Sequence, residues 1–366
     1  MGVVLSPPRK IRPFIEKFAA NSPLVRTFAL FVALLALALI VAAALTYPTW
    51  LLVGTVSVEP VHRVMNRLAM LLALVGLIVL TRRLGLSNRA ALGYRLPAAE
   101  FFRQLGIGWA AGVGLMLPLV ALLLALDVRQ IKPGLDGDVL SMVAQGLLSG
   151  LVVAFIEETF FRGILFTAVA RTSSIRAAIV APSLLYAALH FLGGKLRVPP
   201  EQVSWEHGFQ VLSRLFERYA QPLALVDSFL ALFALGVLLA LVRLRTGAIA
   251  ACIGLHAAGV CTIFVLRDTT SINGTAQLAG IVGTYDGVIG WAAFVWIAAI
   301  GSRSRSCRIS RRSRRRAIPE CPGATAASAA APVRRVTRAA PAARSAPAAE
   351  SPPAASRPTS RPRRQA

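Results

Sequence analysis

Long apolar runs separated by short polar connections dominate the chain. A hydrocarbon layer ~30 Å thick takes about 20 apolar residues in a helix. Runs of that kind, bounded by charged or turn residues, fall at 24–45, 64–80, 105–126, 139–169, 177–192, 223–242, 248–266 and 276–300. The pattern predicts an all-α, polytopic transmembrane bundle of about eight spans occupying residues 24–300. The eighth run is the weakest, because Thr284, Tyr285 and Asp286 interrupt it and the stretch 287–300 alone is short for a crossing. The first run follows a polar lead and is long enough to read as a retained anchor rather than a cleaved signal.

Charge placement predicts the orientation. Arg9, Lys10, Arg12 and Lys17 precede the first run; Arg82, Arg83, Arg89, Arg95 and Arg103 separate the second from the third. Arg171 and Arg176 separate the fourth from the fifth, and Arg243 and Arg245 the sixth from the seventh. Every second connection is basic, so the positive-inside rule predicts that both termini are cytoplasmic, with residues 1–23 forming a cytoplasmic lead. The intervening connections carry mixed charge, as in Asp127, Asp136 and Asp138, or Glu201, Glu206 and Glu217. In the longer of these loops, Phe209, Leu212, Leu215 and Phe216 form an amphipathic stretch suited either to the outer leaflet or to a plain cap.

Composition excludes a water-soluble protein: 56% of residues are hydrophobic and only 15% charged. The net charge of +24 is concentrated at the end of the chain, where residues 301–366 hold 16 Arg and 2 Glu. This Ala-, Pro- and Arg-rich tail lacks the means to bury a core and is predicted to be disordered. It has no aromatic residue to interleave with its basic ones, so nucleic acid is not an expected partner; the lipid bilayer is. The four cysteines show neither a disulfide framework nor a Cys-x-x-Cys zinc pattern. The overall composition suggests a GC-rich bacterial source and a multi-pass protein of the inner (plasma) membrane.

Charges buried in a bilayer cost about 2.5–3.5 kcal/mol each on insertion scales and are therefore seldom left unpaired. The fourth run contains Glu157-Glu158-Thr159-Phe160-Phe161-Arg162-Gly163. Glu158 and Arg162, at i and i+4, share a helix face and can neutralise one another. Glu157 is turned about 100° from that pair and has no local partner. Two of the four histidines, His190 and His256, also fall inside apolar runs. Ser183, Tyr186 and His190 share a face, and Cys252 and Gly259 flank His256, the glycine permitting close helix approach. Counting ~1.5 Å per residue from the cytoplasmic ends places Glu157 near 18 Å, His190 near 20 Å and His256 near 12 Å, levels at which the three can meet. A carboxylate and two imidazoles in one polar cavity would activate water and bind a carbonyl oxygen during peptide hydrolysis. The same three are candidates for a zinc triad, although His-Glu-x-x-His is absent. The bland alternative is an ion pair and two interhelical hydrogen-bonders that only order the bundle.

The Glu-Glu-x-x-x-Arg element, the Tyr186-x-x-x-His190 element on the next span and a further membrane histidine resemble the CPBP family of intramembrane proteases, which includes the CAAX prenyl endopeptidases. The resemblance covers roughly residues 139–268. It implies a helical core opening towards the cytoplasmic leaflet and an endopeptidase acting on a membrane-associated peptide or protein. By the family pattern Glu157 and His190 activate the water, Glu158 and Arg162 orient the site, and His256 helps to stabilise the oxyanion. The resemblance leaves both a zinc ion and a metal-free Glu/His mechanism open. Two positions depart from its pattern: Tyr186 replaces the usual Phe, and Val260 stands where His-x-x-x-Asn/Asp has its polar residue. Valine offers no hydrogen bond. That substitution motivates a second reading, a catalytically inactive peptide-binding or bacteriocin-immunity protein. A third, a proton-coupled transporter, ranks lower because the runs show no inverted repeat. A prenylated substrate is not predicted.

Overall fold

The computed structural model describes residues 23–54, 59–134 and 139–302. The expected cytoplasmic lead and the basic tail lie, but for residues 23, 301 and 302, outside the described residues. The predicted helical bundle is present. In chain order it comprises α1 (Pro23–Gly54), α2 (Val61–Arg83), α3 (Arg89–Leu92), α4 (Ala98–Ala125) and α5 (Val139–Glu158), followed by a π-helical turn Thr159–Leu165. Then come α6 (Phe166–Thr172), α7 (Ile175–Leu189), α8 (Glu206–Arg214), α9 (Val226–Thr246), α10 (Ala250–Thr269) and α11 (Trp291–Ser302).

Six of the eight predicted runs give helices long and apolar enough to cross a membrane, the fourth of them continuous over Val139–Thr172 through the π-turn. The fifth and eighth are shorter, at Ile175–Leu189 and Trp291–Ser302. The predicted eighth span therefore shrinks. Its first half is irregular apart from a 3₁₀ turn at Ala279–Ile281, because Gly280, Gly283, Gly287 and Gly290 and the charged Asp286 break the helix. A second departure from the purely helical expectation is a two-stranded antiparallel pair, β1 (Arg129–Ile131) with β2 (Thr270–Ile272). Arg129 fixes it by donating to the Thr270 hydroxyl and to the carbonyls of Thr270 and Gly287.

The centre of the bundle is α10, flanked by α4 and α5. Small residues let the helices approach closely, as membrane helices require when lipid tails are as apolar as the side chains. Along α5, Gly146, Gly150, Ala154 and Glu158 are the buried positions, one per turn. A Cβ on Gly150 would lie 2.5 Å from the Ala257 carbonyl oxygen of α10, so this contact admits only glycine. On the other side Gly108 and Gly112 of α4 meet Ala251 and Leu255. The expected packing role of Gly259 is not what the structure shows: a Cβ there would meet nothing within 4 Å. Gly259 faces a cavity, and Gly254 makes the close approach to α4 instead. Leu37, Ile40, Met70, Val75 and Leu148 face outward, as a lipid-covered surface demands.

The amphipathic stretch of the long loop forms α8. It docks on α1 and α2 through Val211 and Leu215, while Phe209 and Phe216 stay exposed. The predicted apolar face is thus divided between the bundle and the surroundings.

Candidate active site

The α5 stripe of small residues ends on Glu158, so the packing that seats α5 against α10 also delivers this carboxylate to His256. Glu158 is fully buried, and its Oε1 accepts from Arg162 Nη1 at 2.9 Å and from His256 Nδ1 at 2.8 Å. The Glu158–Arg162 pair spans the junction between α5 and the π-turn. A π-turn carries more residues per turn than an α-helix and is frequent at functional sites. Here it is wedged by Gly163, whose missing side chain leaves room for the Leu92 carbonyl of α3. Thr159 holds its outer side through a hydrogen bond with the Tyr94 hydroxyl. The buried Arg162 guanidinium lies 4.6 Å from the centre of the Tyr186 ring and donates to the Gly236 carbonyl of α9.

Glu157, turned away from that pair, meets both histidines. Its Oε2 lies 4.0 Å from His190 Nε2 and 3.8 Å from His256 Nε2. His190 caps α7, with Nδ1 on the Tyr186 carbonyl at 2.7 Å and its ring 4.4 Å from the Tyr186 ring centre. A carbonyl partner makes that Nδ1 a donor, and the carboxylate partner does the same for His256 Nδ1. In their neutral forms both imidazoles therefore turn an Nε2 lone pair towards Glu157. Three acceptors converge, and Glu157 Oε2 is buried with no hydrogen-bond partner among the described residues. Such a meeting is stable with a proton on one imidazole, or with a donor such as water between them.

The zinc reading can be tested on these spacings. At Zn–N and Zn–O distances of about 2.0–2.2 Å, tetrahedral ligands sit about 3.3 Å apart. The separations of 3.8 and 4.0 Å are wider. Among the described residues no group of three or more His, Cys, Asp or Glu is arranged to hold a metal ion. The residues as placed do not fit zinc. Two hydrogen bonds of about 2.8 Å to one water would span up to about 4.6 Å, which the carboxylate–imidazole gaps accommodate.

All five expected residues thus come together: Glu157, Glu158, Arg162, His190 and His256. Of their neighbours, Ser183 turns away from them, bonding the Ile179 carbonyl and packing on Gly236. Cys252 is buried against the Leu239 carbonyl and serves packing. Val260 lines the cavity one turn beyond His256 and brings no polar atom to it.

That cavity has a volume of about 500 Å³. Glu157, His190 and His256 form its polar floor, and Leu119, Leu235 and Ile297 are among the apolar residues of its wall. Lys195, Arg218, Arg267, Tyr285 and Asp286 also line it. Sequence inspection missed these last five, since they lie in loops or at a helix end with no motif to mark them. Asp286 accepts from the Val288 and Ile289 amides, yet burial raises its pKa above the usual carboxylate value.

No curated protein and no solved structure matches the chain. A family model does: Rce1-like, described as type II CAAX prenyl endopeptidase Rce1-like, matches residues 139–261, about a third of the chain. The matched segment carries Glu157, Glu158, Arg162, His190 and His256, and its similarity to the Rce1-like, CAAX protease-like family agrees with the family its motifs resemble.

Proposed function

We propose that the protein is an intramembrane endopeptidase that hydrolyses a peptide bond of a membrane-associated peptide or protein. The single observation that carries this reading is the convergence of Glu157 with the Nε2 atoms of His190 and His256 on the floor of one cavity. A water held between Glu157 Oε2 and His190 Nε2 would lose a proton to the carboxylate as its oxygen attacks the scissile carbonyl. His256 in its protonated form would donate from Nε2 to the oxyanion, with Glu158 on Nδ1 stabilising the imidazolium. The proton taken by Glu157 then passes to the leaving amine as the C–N bond breaks, which restores the starting state. Glu158 and Arg162 act as positioning residues, holding the His256 ring and tying the π-turn to α7 and α9. No step is routed through a metal. The membrane in question is, by composition, a bacterial inner membrane.

The test is a comparison of the membrane-proximal peptides of cells carrying the unaltered protein with those of cells carrying Glu157→Gln. The reading expects one or more peptides to persist uncleaved in the variant. Identical peptide populations, with both proteins present at equal level, contradict it.

A second reading has one specific observation in its favour. Val260 gives the cavity no donor where the family pattern has Asn or Asp, so the site would bind a peptide without cleaving it. Peptide capture by the unaltered protein, with no hydrolysis across a varied library, would support this reading over the first.

A further inference from the structure

The two positions that depart from the CPBP pattern line the same cavity. Val260 brings no polar atom to it, whereas Tyr186 brings a hydroxyl that phenylalanine would not. Tyr186 is only 1% exposed, and its other groups are engaged. Its carbonyl accepts from His190, its ring centre lies 4.6 Å from the Arg162 guanidinium, and Phe161 meets that ring edge-on at 5.3 Å. The hydroxyl has no hydrogen-bond partner among the described residues. The carboxylates of the site do not take it: Glu157 Oε2 and Glu158 Oε2 have no partner either, and Glu158 Oε1 accepts from Arg162 and His256.

A buried hydroxyl that bonds to nothing costs free energy, and buried polar groups are seldom left so. Ser183, one turn away on α7, follows the rule by donating to the Ile179 carbonyl. Tyr186 breaks it at the place where the chemistry would occur, because its ring packs on both imidazoles, with centres 4.4 Å from His190 and 6.0 Å from His256. Packing alone would be served as well by phenylalanine.

We propose that the Tyr186 hydroxyl is the second hydrogen-bond donor to the carbonyl oxygen of the bound peptide, beside His256 Nε2, and so supplies from α7 what Val260 does not supply from α10. This rests on the peptide-hydrolysing reading for the chemistry, but not for the hydrogen bond to a bound carbonyl. As the water oxygen bonds to the carbonyl carbon and its proton goes to Glu157, the C=O electron pair moves onto the carbonyl oxygen, where Tyr186 and His256 each donate a hydrogen bond. The pair re-forms C=O when the C–N bond breaks, and Tyr186 keeps its proton throughout. Arg162, Phe161 and His190 hold the ring, so the donor is in place before the charge develops.

The test sets Tyr186→Phe beside the unaltered protein, both as full chains in proteoliposomes. The variant deletes one hydroxyl and no hydrogen bond within the described residues, so its unfolding temperature in mixed micelles should be unchanged or higher. Its kcat on a membrane-anchored peptide library should nevertheless fall about 10²-fold, with KM changed by less than about threefold. A rate within about threefold of the unaltered protein, or a loss of rate matched by a lower unfolding temperature, overturns the proposal. Binding is read separately, with apolar peptides that carry a trifluoromethyl ketone, whose hydrate is tetrahedral, in place of one amide, and with their amide parents. The ketone should bind the unaltered protein more tightly than its parent, and Tyr186→Phe should weaken the ketone at least about tenfold while leaving the parent within about threefold. Equal affinity of the two proteins for the ketone, or a ketone no tighter than its parent on the unaltered protein, overturns the proposal. Weakening of the ketone by Tyr186→Phe in a protein that cleaves no peptide supports the hydrogen bond while contradicting the hydrolytic reading.

Discussion

Replacing Arg162 by Met removes the charge that balances Glu158 while keeping much of the side chain's volume. Both partners are buried, at 2% and 0% exposure, and are joined at 2.9 Å. At that separation the mutual attraction is about 6 kcal/mol for an effective dielectric near 20, offset in the folded protein by the cost of desolvating both ions. Removing one partner leaves that cost on the other, and broken buried pairs lose ~3–5 kcal/mol. The Tyr186 ring also loses the guanidinium above it. Arg162→Met should therefore destabilise the bundle by about 4 kcal/mol, read from reversible unfolding in mixed micelles. The double variant Glu158→Gln/Arg162→Met removes both charges and should be more stable than the sum of the single effects by about 2 kcal/mol or more. A loss below about 1 kcal/mol for Arg162→Met, or additivity within about 0.5 kcal/mol in the cycle, would refute the pair's energetic role.

Further outcomes depend on single contacts. Gly150→Leu should separate α5 from α10, lowering stability by about 1–3 kcal/mol and abolishing hydrolysis, because even a Cβ would lie 2.5 Å from the Ala257 oxygen; Gly259→Ala, with nothing within 4 Å, should fold normally by the same unfolding assay. Val260→Asn places an amide on the cavity wall one turn from His256 and should raise the hydrolytic rate, by up to about 100-fold if the amide reaches the oxyanion; an unchanged rate would show that this wall does not face the reacting carbonyl. Hydrolysis should survive chelation, since the Glu157 to His190 and His256 spacings exceed those of zinc ligands; activity lost on chelation and restored by zinc alone would contradict that geometry.

Much of the fold is legible in the residues because hydrocarbon imposes a simple requirement on length and polarity. That requirement located the long helices and overextended 276–300, where glycines and Asp286, already the weak point of that run in the sequence, make an irregular segment. The convergence of Glu157, His190 and His256 was legible through depth counting, since all three lie in apolar runs and need polar company. Their supports were less so. The π-turn at Thr159–Leu165 has no local signature, and its geometry depends on Gly163 meeting the Leu92 carbonyl from a distant part of the chain. The stripe Gly146, Gly150, Ala154, Glu158, four residues apart on one face, was overlooked in the sequence; its spacing marks a close-packing face, and only the structure shows that the face meets α10. Gly259 shows the opposite limit. A glycine beside a histidine suggests close packing, and only the placement of its neighbours reveals that it opens onto a cavity.

The most direct test of the central claim is hydrolysis of a membrane-anchored peptide library in ¹⁸O-labelled water by purified protein in proteoliposomes, set beside Glu157→Gln. The proposed chemistry predicts cleaved products with ¹⁸O in the new carboxylate, and loss of at least about 10²-fold in rate for the variant. Cleavage by Glu157→Gln at the rate of the unaltered protein would contradict it, and so would the absence of any cleaved product with the unaltered protein.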